Sequence, residues 1–196
     1  VVGGGVVGME SAKVLSQMGA KVTILELDYA KLQNHPYYHL YDLEVLSVNE
    51  ANIIQALNGA VGLVGAVLVT ASQTPKVILR RHLKRMQKQG VVIDVACDLG
   101  GCIETIHQTS HSNPVYVEED LLHYGVPNMP GIAAKTSSVA YSHASAPYLL
   151  YYLEHGLKGF LKANTKIVAN TLGGLSAYNG YITQEGIAKT FNLAFK

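Results

Sequence analysis

The sequence of 196 residues has no tryptophan, only three phenylalanines and two cysteines, and its net charge is +1. Two cysteines, Cys97 and Cys102, cannot build the disulfide framework of a small secreted protein, so we expect a reducing, cytoplasmic compartment. The balanced charge gives no electrostatic attraction to nucleic acid. No apolar run approaches the about 20 residues that a membrane-spanning helix needs. These absences favour a globular protein with neither nucleic acid nor membrane as its partner.

What the sequence has in quantity is glycine, and three of its nineteen glycines form a motif at the start. Gly3, Gly5 and Gly8 have the spacing G-x-G-x-x-G and follow two apolar residues. In such motifs the first glycine permits a tight turn, the second lets the backbone approach a pyrophosphate, and the third lets a helix lie close to the sheet. A helix up to Gly19 follows, and its N-terminus offers N–H groups and a positive dipole end to phosphates.

A second strand, Lys21–Leu25, ends in Glu26, eighteen residues after Gly8. Dinucleotide-binding folds place there the carboxylate that bonds the ribose hydroxyls. The alternative is an ordinary βαβ turn with a surface glutamate, but the order strand, glycines, helix, strand, acid favours the binding site. Only two residues precede the glycine turn, fewer than a normal strand has. We therefore expect this chain to be a piece of a longer protein. The piece would begin inside the first strand.

Strand-like and helix-like segments alternate from Val1 to about Val126. The further predicted strands are 43–47, 63–69, 91–96, 116–117 and 121–126, and the predicted helices are 50–57, with Asn49 as its N-cap, and 79–89. This alternation predicts an α/β fold with a doubly wound, mostly parallel, Rossmann-like sheet. The helix 79–89 has a basic face, which we interpret as solvated and not as a nucleic-acid site. The loops 97–102 and 127–131 follow strands, at the sheet edge where ligands bind in such folds.

The alternation stops after residue 131. A helix is predicted over Ser137–His155, with Pro147 kinking it or starting a second helix and Gly156 breaking it. A short helix over Gln184–Phe191 ends the chain. We therefore predict a dinucleotide-binding domain over residues 1–131 and a helical segment over 132–196 that packs on a second domain outside this chain.

Two histidine groupings raise the question of a metal site. His35 and His39 are four residues apart, but Pro36 lies between them and no third ligand is near. His107 and His111 lie near Cys102 in sequence, but the spacing fits no zinc pattern. We predict no metal.

Six blocks of the sequence resemble the alanine dehydrogenase and pyridine nucleotide transhydrogenase family. They are GGGVVG at 3–8, KVTILELDYAKL at 21–32, GAVLV at 65–69, VVIDVACDLGGCIET at 91–105, HYGVPNMPG at 123–131 and KTSSVA at 135–140. The resemblance covers nearly all of the chain. It implies a substrate domain that precedes the dinucleotide domain and receives the C-terminal helical segment. It also implies the oxidation of L-alanine by NAD to pyruvate, ammonia and NADH, usually by a homohexamer.

The resemblance also implies a set of NAD contacts. In chain order they are Gly3, Gly5, Val7 and Gly8 at the pyrophosphate, Glu26 and Lys31 at the adenosine end, Val67 and Leu68 along the cleft, Val95 and Asp98 at the nicotinamide side, and Val126, Asn128 and Met129 closing over it. Glu26 stands where many members carry Asp. Pro127 replaces a usual alanine, which stiffens the loop over the cofactor.

By the same resemblance, Asp98 is the catalytic aspartate. Hydride transfer from the α-carbon leaves an iminium and then a carbinolamine, so a carboxylate beside the nicotinamide would orient water and balance the charge. The alternative is that Asp98 merely caps the turn at Gly100 and Gly101. The other catalytic groups of the family belong to the first domain, so we expect these residues alone to be inactive.

Two other functions stay open at this stage. The first is the NAD-binding component of a proton-translocating transhydrogenase, and the second is a non-catalytic remnant of a split gene. The loop Val126–Pro130 and the block GGCIET at 100–105 suit the dehydrogenase better than the transhydrogenase.

Overall fold

The structure, a computed structural model, describes residues 1–33, 43–68, 74–162 and 175–195. These residues divide into two units, the first over 1–68 and 74–129 and the second over 130–162 and 175–195. The domains over residues 1–131 and 132–196 stay a prediction. The packing of the second unit on a separate substrate domain stays a prediction.

The first unit alternates strands and helices. Its strands are β1 (Val22–Glu26), β2 (Leu43–Ser47), β3 (Gly62–Gly65), β4 (Val91–Asp94), β5 (Val115–Glu118) and β6 (Leu121–Tyr124). Its helices are α1 (Val6–Gln17), α2 (Tyr29–Gln33), α3 (Glu50–Leu57) and α4 (Arg80–Leu83).

Val2 joins the strands into one sheet. It pairs in parallel with Leu25 of β1 on one side and with Gly65 of β3 on the other. Its N–H donates to the carbonyl of Val64 and its carbonyl accepts from Ala66, both at 2.8 Å. The strand order is therefore β2, β1, the Val2 segment, β3, β4, β6, β5, and β5 is antiparallel to β6 while the other pairs are parallel.

With the Val2 segment counted as the first strand, the order is 3-2-1-4-5-7-6. It matches the 3-2-1-4-5-6 order of a doubly wound nucleotide-binding sheet when β6 takes the sixth place, and β5 adds an antiparallel edge. The predicted fold class is confirmed. The strand order reverses between the Val2 segment and β3, and the carboxyl ends of these strands open a crevice there.

Both faces of this sheet are covered. In β1, the neighbouring residues Ile24 and Leu25 point to opposite faces and belong to two different buried clusters. On one face, Met9 and Ala12 of α1 pack on β1 with no exposed surface. The other cluster is larger and draws on α3, the loops and the central strands; among its members are Leu57, Leu63, Ile78, Val92, Ile103 and Leu121.

Local signals placed several helix ends correctly. Asn49 caps α3 by accepting the N–H of Asn52 at 2.9 Å. Gly19 and Gly59 follow α1 and α3 with φ of +89° and +75°, the left-handed conformation that glycine adopts without steric cost. These ends follow from residues adjacent in sequence, which is why pattern alone found them.

The predicted helix over 79–89 is wrong beyond Leu83. The carbonyl of Arg85 accepts the N–H of Gly59 at 2.9 Å, and Gln87 donates to the carbonyl of Ala60 at 3.0 Å. These backbone groups therefore bond to the loop after α3 and do not continue the helix. The basic side chains are largely paired: Arg80 with Glu118 and Glu119, Arg81 with Glu50, and Lys88 with Asp120.

Two predicted strands are shorter than expected. The strand predicted over 63–69 is β3, which ends at Gly65, and the strand predicted over 91–96 is β4, which ends at Asp94. Each of the four residues of β3 pairs with one residue of β4, so the ladder stops where both strands turn away. Val67 and Leu68 consequently lie in a loop at the sheet edge.

The second unit is mainly helical. It contains α5 (Ala134–Lys162), a hairpin of β7 (Ala177–Tyr178) and β8 (Tyr181–Ile182), and α6 (Glu185–Phe191). Pro147 lies inside α5, and Gly156 interrupts it with φ +61° and ψ 175°, as its position predicted. The hairpin was not predicted, although Asn179 and Gly180 at its turn are a strong hairpin signal. None of the helices in the described part of the chain is both long and apolar enough to cross a membrane.

A buried histidine should make the first unit sensitive to acid. His123 has no exposed surface; its Nε2 lies 2.8 Å from the Thr105 hydroxyl and its Nδ1 lies 3.1 Å from the carbonyl of Leu121. Burial lowers the pKa of His123 below its usual value. The unfolded chain therefore binds a proton more readily, and stability should fall as the pH decreases below about 6.5.

Urea unfolding between pH 7.5 and pH 5 measures this effect. The free energy of unfolding should decrease toward pH 5 in the wild type and should depend less on pH in His123→Gln. An equal pH dependence in both proteins would show that another group is responsible.

Candidate functional site

The glycine loop lies at the reversal point of the sheet. Gly3 has φ +95°, and a Cβ atom there would lie 2.7 Å from the carbonyl oxygen of Ala66. A Cβ atom on Gly8 would lie 1.8 Å from the carbonyl oxygen of Gly3. A Cβ atom on Gly5 would meet nothing within 4 Å. Gly3 and Gly8 therefore allow loop, helix and sheet to approach closely, whereas Gly5 borders open space.

The N-terminus of α1 faces this space without a protein cap. The N-cap residue is Gly5, which has no side chain to accept the first N–H groups of α1, and the first turn contains no acidic residue. The first N–H groups of the twelve-residue helix and its positive dipole end suit an anionic group.

Glu26 stands beside the loop at the end of β1. One carboxylate oxygen accepts the N–H of Gly4, and the other accepts the N–H of Asp28 at 3.0 Å. A carboxylate has about four acceptor positions, so each oxygen keeps one for a further donor. The backbone thus fixes Glu26, and the described residues leave it able to accept two more hydrogen bonds.

A cavity of about 570 Å³ connects these parts, a size typical of small-molecule sites. Six of the predicted site residues line it: Gly3, Gly5, Val7, Glu26, Val67 and Leu68. Seven further residues line it that the sequence analysis did not assign: Val6, Leu25, Leu27, Val48, Ala66, Pro75 and Val77. Leu27 and Val48 directly follow β1 and β2, and this position at strand ends was the available signal. Nothing in the sequence marked Pro75 and Val77 as cavity residues, because the path of a loop brings them to the cavity.

Apart from Lys31, the remaining predicted cofactor contacts lie outside this cavity. Val95 follows β4 and donates its N–H to Gly65 at 2.8 Å, which places it beside the end of β3. Val126 is buried after β6, and Asn128 is exposed with φ +53°. Gly8 lies inside α1, and Met129 is half-buried. The side chain of Lys31 is outside the described part of the chain, although its backbone belongs to α2.

Asp98 lies on an exposed turn after β4. It is the middle residue of a 3₁₀ turn over Cys97–Leu99, which Gly100 ends with φ +91°. Its carboxylate accepts the N–H of Leu99 at 3.1 Å, and the side-chain amide of Gln108 lies 3.4 Å from its backbone carbonyl. This location agrees with a catalytic aspartate and also with a residue that only caps the turn. The catalytic role of Asp98 therefore stays a prediction.

Asp94 is a polar residue of this region that the sequence analysis missed as a functional candidate. It is the last residue of β4, has no exposed surface, and accepts hydrogen bonds from the loop that carries Asp98. Burial raises the pKa of this carboxyl, and the backbone N–H groups oppose that shift. The available signal was a charged residue inside an otherwise apolar strand.

The histidines near this site make ring contacts. His107 stacks on Tyr116 with ring centres 3.7 Å apart, and Tyr116 stacks on His123 at 5.0 Å.

Burial raises the pKa of the Cys102 thiol to about 12. Within the described ranges, no group of three His, Cys, Asp or Glu side chains is placed to hold a metal. His35 and His39 lie outside those ranges.

Together, the strand order, the glycine turn, the free helix N-terminus and the carboxylate at the next strand end define the class of dinucleotide-binding domains. A family model described as alanine dehydrogenase/PNT, C-terminal domain, matches residues 1–185. The chain belongs to this family.

Individual relatives agree with this assignment. The alanine dehydrogenase of Methanococcus maripaludis is 38% identical over 196 residues, which cover this whole chain and 52% of that protein. Alanine dehydrogenase 1 of Staphylococcus aureus is 34% identical over 197 residues, with the same coverage. The chain thus spans about half the length of the curated relatives it matches.

Solved structures show the same relationship. An L-alanine dehydrogenase superimposes with a TM-score of 0.80 at 34% identity, over 97% of this chain and 52% of that one. The transhydrogenase from Sinorhizobium meliloti superimposes with a TM-score of 0.67 over 78% of this chain and 43% of that one. Its 20% identity shows a shared fold alone.

The glycine geometry predicts unequal effects of alanine substitution. Gly8→Ala should destabilise the protein by about 3 kcal/mol, because its Cβ would overlap the carbonyl of Gly3. Gly5→Ala should change the free energy of unfolding by less than about 0.5 kcal/mol, since its Cβ meets open space. Urea unfolding measures both, and Gly62→Ala, also in open space, is the matched control in a strand. Equal losses in Gly5→Ala and Gly8→Ala would contradict the loop geometry.

Proposed function

We propose that this chain is the NAD-binding and C-terminal part of an alanine dehydrogenase, which oxidises L-alanine with NAD to pyruvate, ammonia and NADH. The family and the fold imply a nicotinamide dinucleotide as cofactor. The observation that carries the proposal is the position of Glu26 beside the glycine loop, where the described residues donate to only two of its acceptor positions.

The residues present fit a dinucleotide. Gly5 leaves space where a side chain would fill the cradle, and the first turn of α1 offers its N–H groups to the pyrophosphate. The two open acceptor positions of Glu26 match the two hydroxyls of the adenosine ribose. The bound cofactor would supply the hydride acceptor. The chain's own residues hold the phosphates and the ribose.

The same geometry favours NAD over NADP. A 2′-phosphate would face the carboxylate of Glu26, and like charges at close range oppose binding. Lys31 follows in α2, and we propose that it lies toward the adenosine end. Val67 and Leu68 extend the cavity on the side of β3.

We expect the full-length enzyme to prefer NAD over NADP by more than tenfold in kcat/KM, which corresponds to about 1.4 kcal/mol or more. Glu26→Gln removes the negative charge and should reduce that preference. Glu44→Gln, which changes a carboxylate in β2 away from the cavity, is the control. Equal use of both cofactors by the wild type would show that Glu26 has been misassigned.

We propose that the loops after β4 and β6 serve the nicotinamide side. Val95 and Asp98 follow β4, while Val126, Asn128 and Met129 follow β6, and the two strands are neighbours in the sheet. Because both loops leave the same sheet edge, they can approach one ring from two sides. Asp98 then orients the attacking water and balances the positive charge of the iminium.

Asp98→Asn tests this role in the full-length enzyme. The substitution preserves size but removes the charge, so kcat should fall by about two to four orders of magnitude. The Kd for NAD should change little, since the phosphates and ribose are bound elsewhere. If Asp98 only caps its turn, Asn should serve nearly as well and kcat should stay close to the wild-type value.

We propose that the helical segment 132–196 packs on the substrate domain of the full-length enzyme, which assembles as a homohexamer. Three large apolar side chains of α5, Leu149, Leu150 and Leu153, are exposed in this chain. Exposed apolar surface of this kind favours burial against another surface. The groups that grip the substrate belong to the other domain, so the geometry needed for hydride transfer cannot form in these 196 residues alone.

Alanine-dependent NADH formation decides between the candidate functions. The full-length enzyme should produce NADH from alanine and NAD, whereas the 196-residue chain should produce none. A full-length protein that binds NAD without oxidising alanine would favour the transhydrogenase component. A protein that neither binds NAD nor oxidises alanine would favour the non-catalytic remnant.

A further inference from the structure

One buried carboxylate ties together both ends of the loop that carries Asp98. Oδ1 of Asp94 accepts the N–H of Ala96 at 3.0 Å. Oδ2 accepts the N–H of Cys102 at 2.7 Å and that of Ile103 at 3.1 Å. Ala96 precedes the turn and the other two residues follow it, so the carboxylate closes the loop at its base.

The surrounding backbone is shaped to admit this side chain. A Cβ atom on Gly101 would lie 2.7 Å from Oδ2 of Asp94, and one on Gly65 would lie 2.9 Å from it. Gly101 also has φ +68°, a conformation that side chains rarely adopt. Any larger residue at either position would therefore push against the carboxylate.

Core packing alone does not explain a carboxylate at this position. A buried carboxylate loses its hydration, and an apolar residue such as neighbouring Val92 fills a strand interior without that cost. What Asp94 adds is a fixed direction for three N–H groups in the loop.

The loop in turn determines where Asp98 lies. Asp98 is exposed, and within the described part of the chain its carboxylate bonds only Leu99, the next residue of its own turn. The backbone of residues 96–103 therefore sets the position of Asp98 relative to the sheet edge. A displacement of about 1 Å in a reacting group can reduce a rate by about a hundredfold.

We propose that Asp94 is a positioning residue that holds the loop of Asp98 at the end of β4 and so sets the geometry of alanine oxidation. The kinetic part of this inference rests on the proposed function. The clamp itself does not, because it consists of hydrogen bonds within this chain.

Asp94→Asn is the informative substitution. Asn has the same shape but only one acceptor oxygen, and its NH₂ group must face a backbone N–H at one end of the loop. One end of the clamp therefore opens while the strand position stays filled. Asp94→Ser is the second variant, for the case that the Asp94→Asn protein does not fold. The serine side chain is too short to reach either end of the loop.

Thr105→Val is the matched control. It removes the buried hydrogen bond between Thr105 and His123 and so destabilises the same half of the sheet. It leaves the contacts of Asp94 intact. This control therefore shows what a loss of stability does by itself, when the loop keeps its geometry.

Hydrogen exchange measured by mass spectrometry tests the clamp in this chain. In Asp94→Asn, the amides of residues 96–103 should exchange about tenfold faster or more, while those of β1 and β3 should stay protected. In Thr105→Val, residues 96–101 should exchange at the wild-type rate. Unchanged exchange of residues 96–103 in Asp94→Asn overturns the clamp.

Steady-state kinetics of the full-length enzyme tests the positioning. In Asp94→Asn, kcat should fall about a hundredfold with the Kd for NAD changed less than about threefold, whereas Thr105→Val should keep its kcat. Faster loop exchange with normal kcat overturns the positioning role. A wild-type enzyme that does not oxidise alanine rejects the proposed function instead, and the exchange measurement then decides whether the clamp exists.

Discussion

Parallel pairing of Val2 between β1 and β3 supports the candidate site. Its backbone bonds to Val64 and Ala66 on one side, while Gly3 bonds to Leu25 on the other. These bonds bring the carboxyl ends of three strands to one edge of the sheet. Without this central pairing, the glycine loop and Glu26 would have no fixed relation to β3. A cavity lined by loops from all three strands depends on that relation.

Close approach around this pairing is possible because two glycines remove the atoms that would block it. Gly3 passes the carbonyl of Ala66, and Gly8 lies against Gly3 itself. The helix is thereby held with its N-terminus at the strand ends, where its dipole favours an anionic group. Apolar burial supplies the stability of this arrangement, since Met9 and Ala12 of α1 are fully covered. A fully buried methionine contributes on the order of 1.5–3 kcal/mol.

The loop after β4 is held in a different way. It contains a short 3₁₀ turn, and the buried carboxylate of Asp94 bonds the loop to the strand. The glycine loop and the loop after β4 therefore differ in physical character. The first combines a helix N-terminus with open space, and the second surrounds a charged side chain with backbone donors.

Signals that act over a few residues could be found by pattern alone. The glycine spacing, the acid at the end of β1, the Asn49 cap and the helix stops at Gly19 and Gly59 all depend on neighbours in sequence. The alternation of strand and helix was sufficient for the fold class, because a parallel sheet requires crossover helices.

The sequence by itself therefore determined the class of fold, the glycine loop and the carboxylate beside it, because each follows from local conformation and periodicity. Only the tertiary structure decided the ends of β3 and α4, the cavity residues Pro75 and Val77, and the hydrogen bonds of Asp94. Each of these depends on hydrogen bonds or contacts between segments far apart in the chain. Asp94 shows the reason most directly. Its carboxylate bonds N–H groups eight and nine residues away, which reach it only because the loop folds back.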